Sequence, residues 1–312
     1  MSIAGRALVA LRTRGYSHLL FRVVLGILAN RLGVIGASMI SLVVLTAALA
    51  PLLAPYNPVL VNLDDKLLPP TLTYLMGTDQ SGRDILSRVI WGSRVSLQVG
   101  LFAVVIGLIG GVPLGTLSGY YHGGLLEQVI MRGVDGLFSI PLLVWAIAVI
   151  GIVGVGPIQV GPFSFPNESK VILLVGILYV PAIARVTYSA VLVESKADYV
   201  VAHRAQGAKD WDIMMRKVLR NCWSPVIVQA TLFIAIGIIV EASLSFIGLG
   251  VQPPKPSWGT MLADARGYVF SGEWWLPVFP GLAISFSVIG FNLLGDALRD
   301  VLDPRKTATS LL

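Results

Sequence analysis

Two long uncharged stretches of the chain most constrain its fold. Residues 32–63 and 274–295 contain no Asp, Glu, Lys or Arg. About 20 mostly apolar residues in a helix suffice to cross the hydrocarbon of a bilayer. Four further stretches are apolar enough, although one contains Arg185 and another Glu241. The six predicted spans are approximately Gly33–Leu53, Ser96–Tyr121, Val134–Val155, Val171–Leu192, Ser224–Phe246 and Trp275–Leu294.

The composition agrees with a membrane protein. Charged residues make up 13% of the 312 residues and hydrophobic residues 55%, whereas a soluble domain is nearer one quarter charged. The single cysteine, Cys222, excludes an intramolecular disulfide and a cysteine-based zinc cluster. The net charge of +6 is explained by basic loops at the membrane surface and predicts no nucleic-acid partner.

The N-terminal region predicts a short helix outside the membrane. Leu19–Ala29 is apolar except for Arg22 and is too short to span, so we expect it to lie at the cytoplasmic interface. Ala48-Leu49-Ala50 resembles a signal-peptide cleavage site, but we expect the first span to be retained because Pro51 and five further spans follow.

The predicted regions are 1–32 (cytoplasmic segment), 33–95 (first span and external segment), 96–296 (five-span core, with loop 193–223) and 297–312 (cytoplasmic tail).

The distribution of basic residues predicts the orientation. With the N-terminus inside, 15 Lys and Arg residues lie in inside segments and 7 in outside segments, and Arg185 lies within a span. Basic residues are enriched on cytoplasmic loops. Both termini are therefore predicted to be cytoplasmic.

Glycines recur every four residues along the second predicted span. Gly107, Gly111, Gly115 and Gly119 lie on one slowly drifting helix face. Small residues allow two membrane helices to approach closely. This face, the glycine seam, is either a static packing surface or an interface that slides when the protein changes state.

Arg185 and Glu241 are predicted to lie within the membrane, where ionisable residues are candidates for function. Their positions in the spans put them roughly 15 Å apart in depth, which argues against a direct pair. We expect Arg185 to extend toward the cytoplasmic surface. Glu241 is expected to face a cavity or bond to a neighbouring helix, and proton coupling through it is a less favoured alternative.

Loop 193–223 interleaves charged and apolar residues at helical spacing, with Gly207 between the halves and Trp211 just after it. The pattern predicts a helix, a glycine turn and a second helix. Periodicity alone leaves two interpretations open. The hairpin either inserts into a groove of a partner or lies on the membrane without one.

The sequence contains no nucleotide or hydrolase motif. The phosphate-binding pattern G-x-x-x-x-G-K-[ST], G-x-S-x-G and H-E-x-x-H do not occur. The chain is therefore predicted to lack a nucleotide site that could supply energy.

Five motif groups together resemble one family, the C-type permease subunits of bacterial ABC importers for dipeptides, oligopeptides and nickel. They are spread from about residue 33 to 306. In chain order they are Gly77–Asp84 with Ser87-Arg88 and Gly92–Leu97; Gly119-Tyr120-Tyr121 with Arg132, Asp135 and Pro141; Asp198-Tyr199-Val200 with Ala202, Arg204-Ala205 and Gly207; Glu241–Gly250 with Pro254 and Pro256–Gly259; and Asn292–Asp300 with Leu302–Arg305.

The resemblance implies an all-α polytopic protein of the type I ABC importer permease fold in a bacterial inner membrane. It also implies that the hairpin is the coupling helix between spans 4 and 5. The implied partners are a second, homologous permease, two ATPases that bind ATP and Mg²⁺, and an external binding protein. The chain itself is expected to be non-catalytic and to bind no cofactor. The implied coupling residues are Asp198, Tyr199, Ala202, Arg204, Ala205, Gly207 and Trp211.

The chain departs from the family pattern at Val201, His203 and Arg220, where Glu, Ala and Pro are common. These departures lie in the segment expected to contact the ATPase, so they concern which ATPase the chain pairs with. Peptides are the leading substrate class, with nickel or glutathione as alternatives. The rival functions are a proton-coupled secondary transporter using Glu241, a membrane enzyme and a non-transporting scaffold.

Overall fold

A computed structural model describes residues 19–154, 156–160, 163–268 and 270–302. The first 18 residues and the predicted tail from residue 303 lie outside the described residues. The helices are α1 Leu19–Ala29, α2 Arg31–Ala48, α3 Ala50–Leu53, α4 Ile85–Tyr120, α5 Leu125–Phe138, α6 Leu142–Val153, α7 Asn167–Glu194, α8 Asp198–Ala205, α9 Asp210–Ile213, α10 Leu219–Asn221, α11 Trp223–Phe246, α12 Trp258–Ala265 and α13 Trp275–Leu302.

Five of the described helices, α2, α4, α7, α11 and α13, are each long and apolar enough to cross a membrane. The third predicted span differs, because it is divided into α5 and α6, which meet at 84°. Counting this bent pair as one broken span gives the predicted six. The break falls at residues 139–141, where Pro141 cannot continue the preceding helix.

The structure also contains features that the apolar pattern did not predict. Two three-residue strands, β1 Ile158–Val160 and β2 Phe163–Phe165, form an antiparallel pair between α6 and α7. The second span begins earlier than predicted, since Asp84 caps α4 by accepting the amide of Ser87 at 2.8 Å. The last helix continues to Leu302, beyond the predicted end at Leu294.

The molecule has two ends. The C-terminal part of α13 lies beside α1 and the start of α11, since Gly26 approaches Val301 and Ser224 Oγ donates to the carbonyl of Leu302 at 3.1 Å. The loop 193–223 lies at this same end, which we call the hairpin end. The opposite end, here the far end, holds the start of α4, α12 and the start of α13. The first and last helices of the described chain therefore meet at the same end of the molecule as loop 193–223.

The centre of the fold is the packing of α4 against α7, the most extensive helix contact among the described residues. Helix α11 packs beside both helices. Their buried apolar side chains form the main core, which includes Val99, Ala103, Val175, Tyr179 and Ile183.

Candidate coupling site and the elements joined to it

The loop 193–223 folds as the predicted helical hairpin. Helix α8 ends at Ala205, and Gly207 has a φ of +81°, a conformation that favours glycine. The second half consists of α9, a π-helical turn Met214–Val218 and α10. The prediction of helix, glycine turn and helix is therefore confirmed.

The underside of the hairpin is apolar and buried. Val200 in its first half meets Ile213, Met214 and Val218 in its second half. This group packs against Tyr120 and Val191, near the ends of α4 and α7. The remaining buried member is Cys222, whose thiol pKa is raised to about 12, chiefly by burial and then by the nearby Glu194 carboxylate. The hairpin is thus seated on the two helices of the central packing.

A polar contact reinforces this seat. The hydroxyl of Tyr120 donates to Oδ1 of Asp210 at 2.6 Å, and Nε of Arg204 donates to the same oxygen at 3.2 Å. The Arg204 guanidinium also lies 5.4 Å from the centre of the Tyr120 ring, within cation–π range. The Tyr120 hydrogen bond, followed by the Arg204 contacts, lowers the pKa of Asp210. Both halves of the hairpin are thereby linked to the end of α4.

A second contact closes the base of the hairpin. The hydroxyl of Tyr199 and Nδ2 of Asn221 each donate to Oε1 of Glu194 at 2.7 Å. Burial, then the bond to Glu194, raises the pKa of the Tyr199 phenol. Tyr199 therefore faces inward and supports the hairpin.

The outer face of the hairpin is exposed. Trp211 has 61% of its surface accessible, and Val201 is also exposed. The predicted coupling residues divide accordingly. Tyr199 is half-buried, while the others lie on the exposed side: Asp198, Ala202, Arg204, Ala205, Gly207 and Trp211. We call the exposed apolar part of this face, Val201, Ala202, Ala205 and Trp211, the hairpin tip.

The glycine seam faces α7 and leads directly to the hairpin. A Cβ atom added at Gly111 would lie 2.7 Å from Cβ of Ile183, and one at Gly119 would lie 2.8 Å from the carbonyl oxygen of Tyr188. Gly107 and Gly115 likewise meet α7 without room for a side chain. The predicted close approach of two helices is confirmed. Tyr120, the residue that bonds the hairpin, follows the last glycine of the seam.

Glu241 is fully buried near the far end of α11. Its carboxylate accepts hydrogen bonds from Ser96 Oγ of α4 at 2.8 Å and from Ser245 Oγ at 2.7 Å. Ser245 Oγ in turn accepts the amide of Val251 at 3.0 Å. Of the two expectations, the bond to a neighbouring helix is the one observed. Glu241 joins α4 to the turn that follows α11.

Arg185 does not pair with Glu241, as expected. Nη2 of Arg185 donates to Oδ1 of Asp135 at 2.6 Å, across from α7 to α5. The guanidinium also lies 4.8 Å from the centre of the Phe138 ring. The expected extension of Arg185 toward the cytoplasmic surface stays a prediction.

The far end contains a charge cluster that the sequence motifs did not reveal. Asp79 accepts from Arg83 at 2.7 Å and lies 3.4 Å from Arg88, and Asp264 of α12 lies within 3.3 Å of both arginines. The Arg88 side chain is only 3% exposed. The segment Gly77–Asp84 thus attaches the start of α4 to α12.

The family models match most of the described chain. The model "Binding-protein-dependent transport system inner membrane component" covers residues 111–308. The model "N-terminal TM domain of oligopeptide transport permease C" covers residues 22–70. The chain belongs to the binding-protein-dependent inner-membrane permease family.

Named relatives agree with this assignment. The permease is 43% identical to the di/tripeptide transport system permease protein DppC of Pseudomonas aeruginosa, over 89% of each chain. It is 39% identical to the dipeptide permease DppC of Haemophilus influenzae, over 88% of this chain and 91% of the other. It is 42% identical to the glutathione permease GsiD of Pectobacterium atrosepticum, over 76% and 74%.

A solved structure supports the fold. A chain of the inward-facing MetNI methionine ABC transporter matches this permease with a TM-score of 0.56 at 19% identity, covering 69% of this chain and 96% of the other. The chain therefore has the type I ABC importer permease fold. The family match and the named relatives show that it is a multi-pass inner-membrane permease subunit of an ABC importer.

The pairwise contacts at these sites could not be read from the sequence. Tyr120 occurs in one of the family-like motifs, but nothing in the motif shows that it bonds to Asp210. Asp135 occurs in the same motif group, and Ser96 in another. Asp135 lies 50 residues from its partner Arg185, and Ser96 lies 145 residues from its partner Glu241. Residues so far apart meet only in the folded chain, so no local sequence pattern indicates the pairs.

Proposed function

We propose that this permease pairs with a second, homologous permease and forms with it the path by which peptides cross the inner membrane. The relatives named as dipeptide or di/tripeptide permeases cover nearly the whole chain, which supports peptides as the substrate class. The glutathione permease supports the wider class of small peptides. An external binding protein delivers the peptide.

The observation that carries the coupling mechanism is the two-sided hairpin. Its underside is buried on α4 and α7, whereas its tip exposes Val201, Ala202, Ala205 and Trp211. An exposed apolar surface on a short helix is suited to insertion into a groove of another protein. We infer that the tip docks into a cytoplasmic ATPase and that its movement reaches the membrane through Tyr120 and the seam.

The orientation follows from this docking. The hairpin and both described chain limits lie at one end, and the basic residues of the sequence favour that end as cytoplasmic. The ATP and Mg²⁺ are bound by the two partner ATPases, and this chain has no catalytic role. Closure of the ATPases rocks the two permeases between inward-open and outward-open states.

The test of docking uses the complete transporter in liposomes. Trp211→Ala removes the largest exposed side chain of the tip without emptying the core. We expect it to reduce peptide uptake and binding-protein-stimulated ATP hydrolysis together, at least tenfold. Trp274→Ala is the matched control, because Trp274 is a similarly exposed tryptophan at the far end.

A second variant tests the turn. Gly207→Leu places a side chain at a φ of +81°, where only glycine is unstrained. With the complex still assembled, uptake and stimulated ATP hydrolysis should both fall. Normal values of both for Gly207→Leu and Trp211→Ala would show that the hairpin does not couple the ATPase to transport.

The proton-coupled alternative has its own test. Glu241→Gln removes the ionisable group but keeps the shape of the side chain, with a carbonyl oxygen that can accept from one of Ser96 and Ser245 and an amide that can donate to the hydroxyl of the other. We expect uptake that still depends on ATP. Loss of uptake in this variant, with assembly and ATP hydrolysis preserved, would favour proton coupling.

A further inference from the structure

A charged pair lies in the interior of the membrane-spanning part of the fold. Arg185 is nine residues from the hairpin end of α7, and Asp135 is ten residues along α5 from the same end. At 1.5 Å per residue both lie roughly 14–15 Å from that end. Helix α7 is about 42 Å long, so this depth is within its membrane-crossing part.

The pair is exposed rather than buried. The accessible fraction is 47% for the Arg185 side chain and 56% for that of Asp135. Charged side chains at this depth are unfavourable in contact with lipid, and they face water-filled cavities or other protein. Glu241, by contrast, is fully buried and bonded on both carboxylate oxygens. The exposed pair therefore marks a face that lipid does not cover.

A broken helix lies at the same point. Phe138, whose ring contacts Arg185, is the last residue of α5, and the chain then turns by 84° into α6. Non-helical backbone at membrane depth is tolerated where it is buried in protein or lines a water-filled cavity. Residues 139 and 140 are exposed. Broken spans in transporters recur at substrate sites.

Polar groups extend from this pair to the hairpin end. Tyr188, three residues after Arg185 and on the same helix face, donates to Oε1 of Glu127 at 2.7 Å. His122 Nδ1 lies 3.1 Å from that oxygen. A polar track of His122, Glu127, Tyr188, Asp135 and Arg185 therefore connects the break with the surface.

We propose that Asp135 and Arg185 form a charge-recognition step in the pathway, at which Arg185 binds the C-terminal carboxylate of a free peptide and Asp135 binds its N-terminal ammonium group. The proposal rests on the proposed function and names the chemistry of its substrate. When no peptide is bound, the two side chains form an ion pair with each other. A zwitterionic peptide replaces each partner with a group of the same charge, so neither side chain is left unpaired.

The first experiment tests whether the face is aqueous. In a Cys222→Ser background, Ser189→Cys places a thiol on α7, one turn from Arg185 toward the hairpin end. Leu282→Cys is the control, on an exposed apolar face of α13. In the full complex, a charged, membrane-impermeant thiol reagent should label Ser189→Cys at least tenfold faster than Leu282→Cys. Equal, slow labelling with and without ATP would overturn the proposal.

The second experiment tests recognition. Arg185→Gln and Asp135→Asn are assayed in the complete transporter with saturating binding protein and a radiolabelled free dipeptide. Uptake should fall at least tenfold, while stimulated ATP hydrolysis stays within twofold of the unmodified complex. Glu168→Gln is the matched control, since it alters the Glu168–Lys255 pair outside the polar track, and both rates should stay within twofold.

The outcomes separate this proposal from the proposed function. Absence of ATP-dependent uptake by the unmodified complex would contradict the proposed function, and the labelling comparison would still test the aqueous face. Normal uptake by both variants would overturn the recognition step. A parallel fall in uptake and ATP hydrolysis would also overturn it, because that result indicates a structural ion pair.

Discussion

The far end and the hairpin end are attached to the same helix, α4, in opposite ways. At the far end, Arg88 is buried among Asp79 and Asp264, and Ser96 bonds to the buried Glu241. At the hairpin end, one apolar cluster and the Tyr120–Asp210 bond hold the hairpin, and its outer face is exposed.

The difference is between an end whose contacts are buried within the chain and an end that keeps an exposed surface. Buried charges that lose a partner are costly, so the far end is tied strongly to α4. The hairpin tip has apolar surface still available for another protein. The far end is therefore expected to move with α4 as one body, while the hairpin exchanges partners at its tip.

The largest expected effect is at the far end. Asp79→Ala removes the buried partner of Arg83 and Arg88 and should lower the free energy of unfolding by about 3–5 kcal/mol. Denaturant unfolding of the purified chain in detergent measures it. The matched control is Asp212→Ala, which breaks the exposed Arg216–Asp212 pair of the hairpin and should cause no measurable change. Similar effects of the two variants would remove the contrast between the ends.

A smaller effect is expected in the hairpin cluster. Met214→Ala empties a fully buried position and should weaken the attachment of the hairpin by about 2 kcal/mol. Trypsin should then cleave between residues 198 and 221 roughly 30-fold faster, with little change in the stability of the spans. Met215→Ala, the exposed neighbour, should leave the cleavage rate unchanged. Loss of stability in the whole chain would contradict a locally attached hairpin.

The polar contact of the hairpin contributes less to its attachment than the apolar cluster does. Tyr120→Phe keeps the ring under Arg204 and deletes the hydroxyl that bonds to Asp210, at a cost of about 1 kcal/mol. Hydrogen exchange of amides in residues 198–221 should be roughly fivefold faster. Tyr121→Phe alters the adjacent, exposed tyrosine and serves as the control. Equal exchange in the two variants would show that the bond does not hold the hairpin.

The smallest effect is a pH dependence of the same bond. The Tyr120 hydroxyl and Arg204 lower the pKa of Asp210 below its ordinary value of 3.8. The bond therefore contributes fully above pH 3.8, and this contribution is lost as the pH falls through the lowered pKa. The protection of hairpin amides from hydrogen exchange should decline over this acid range in the unmodified chain. The decline attributable to Asp210 should be weaker in Tyr120→Phe.

Local patterns in the sequence predicted the main elements. Apolar length located the spans, and the spacing of Gly107 to Gly119 predicted a close helix contact, because hydropathy and helical period depend on neighbouring residues. The hairpin followed from the charges around Gly207. The break in the third span coincides with Pro141, but the 84° turn depends on how α5 and α6 pack, which no local pattern contains.

The partners across helices were beyond prediction. Arg185 and Glu241 were equally conspicuous in the sequence, yet one is exposed beside Asp135 and the other is buried beside Ser96. Their different surroundings depend on which helices are neighbours. The coupling role of the hairpin residues and the region boundaries remain predictions.

Helix α4 contains 36 residues, which corresponds to about 54 Å. A bilayer interior of about 30 Å leaves some 24 Å of this single rod outside the hydrocarbon. The rod begins among the charges beside Arg88 and finishes at Tyr120 under the hairpin. Helix α4 continues through Pro113 without ending, so we expect a displacement of its hairpin end to be transmitted to its far end.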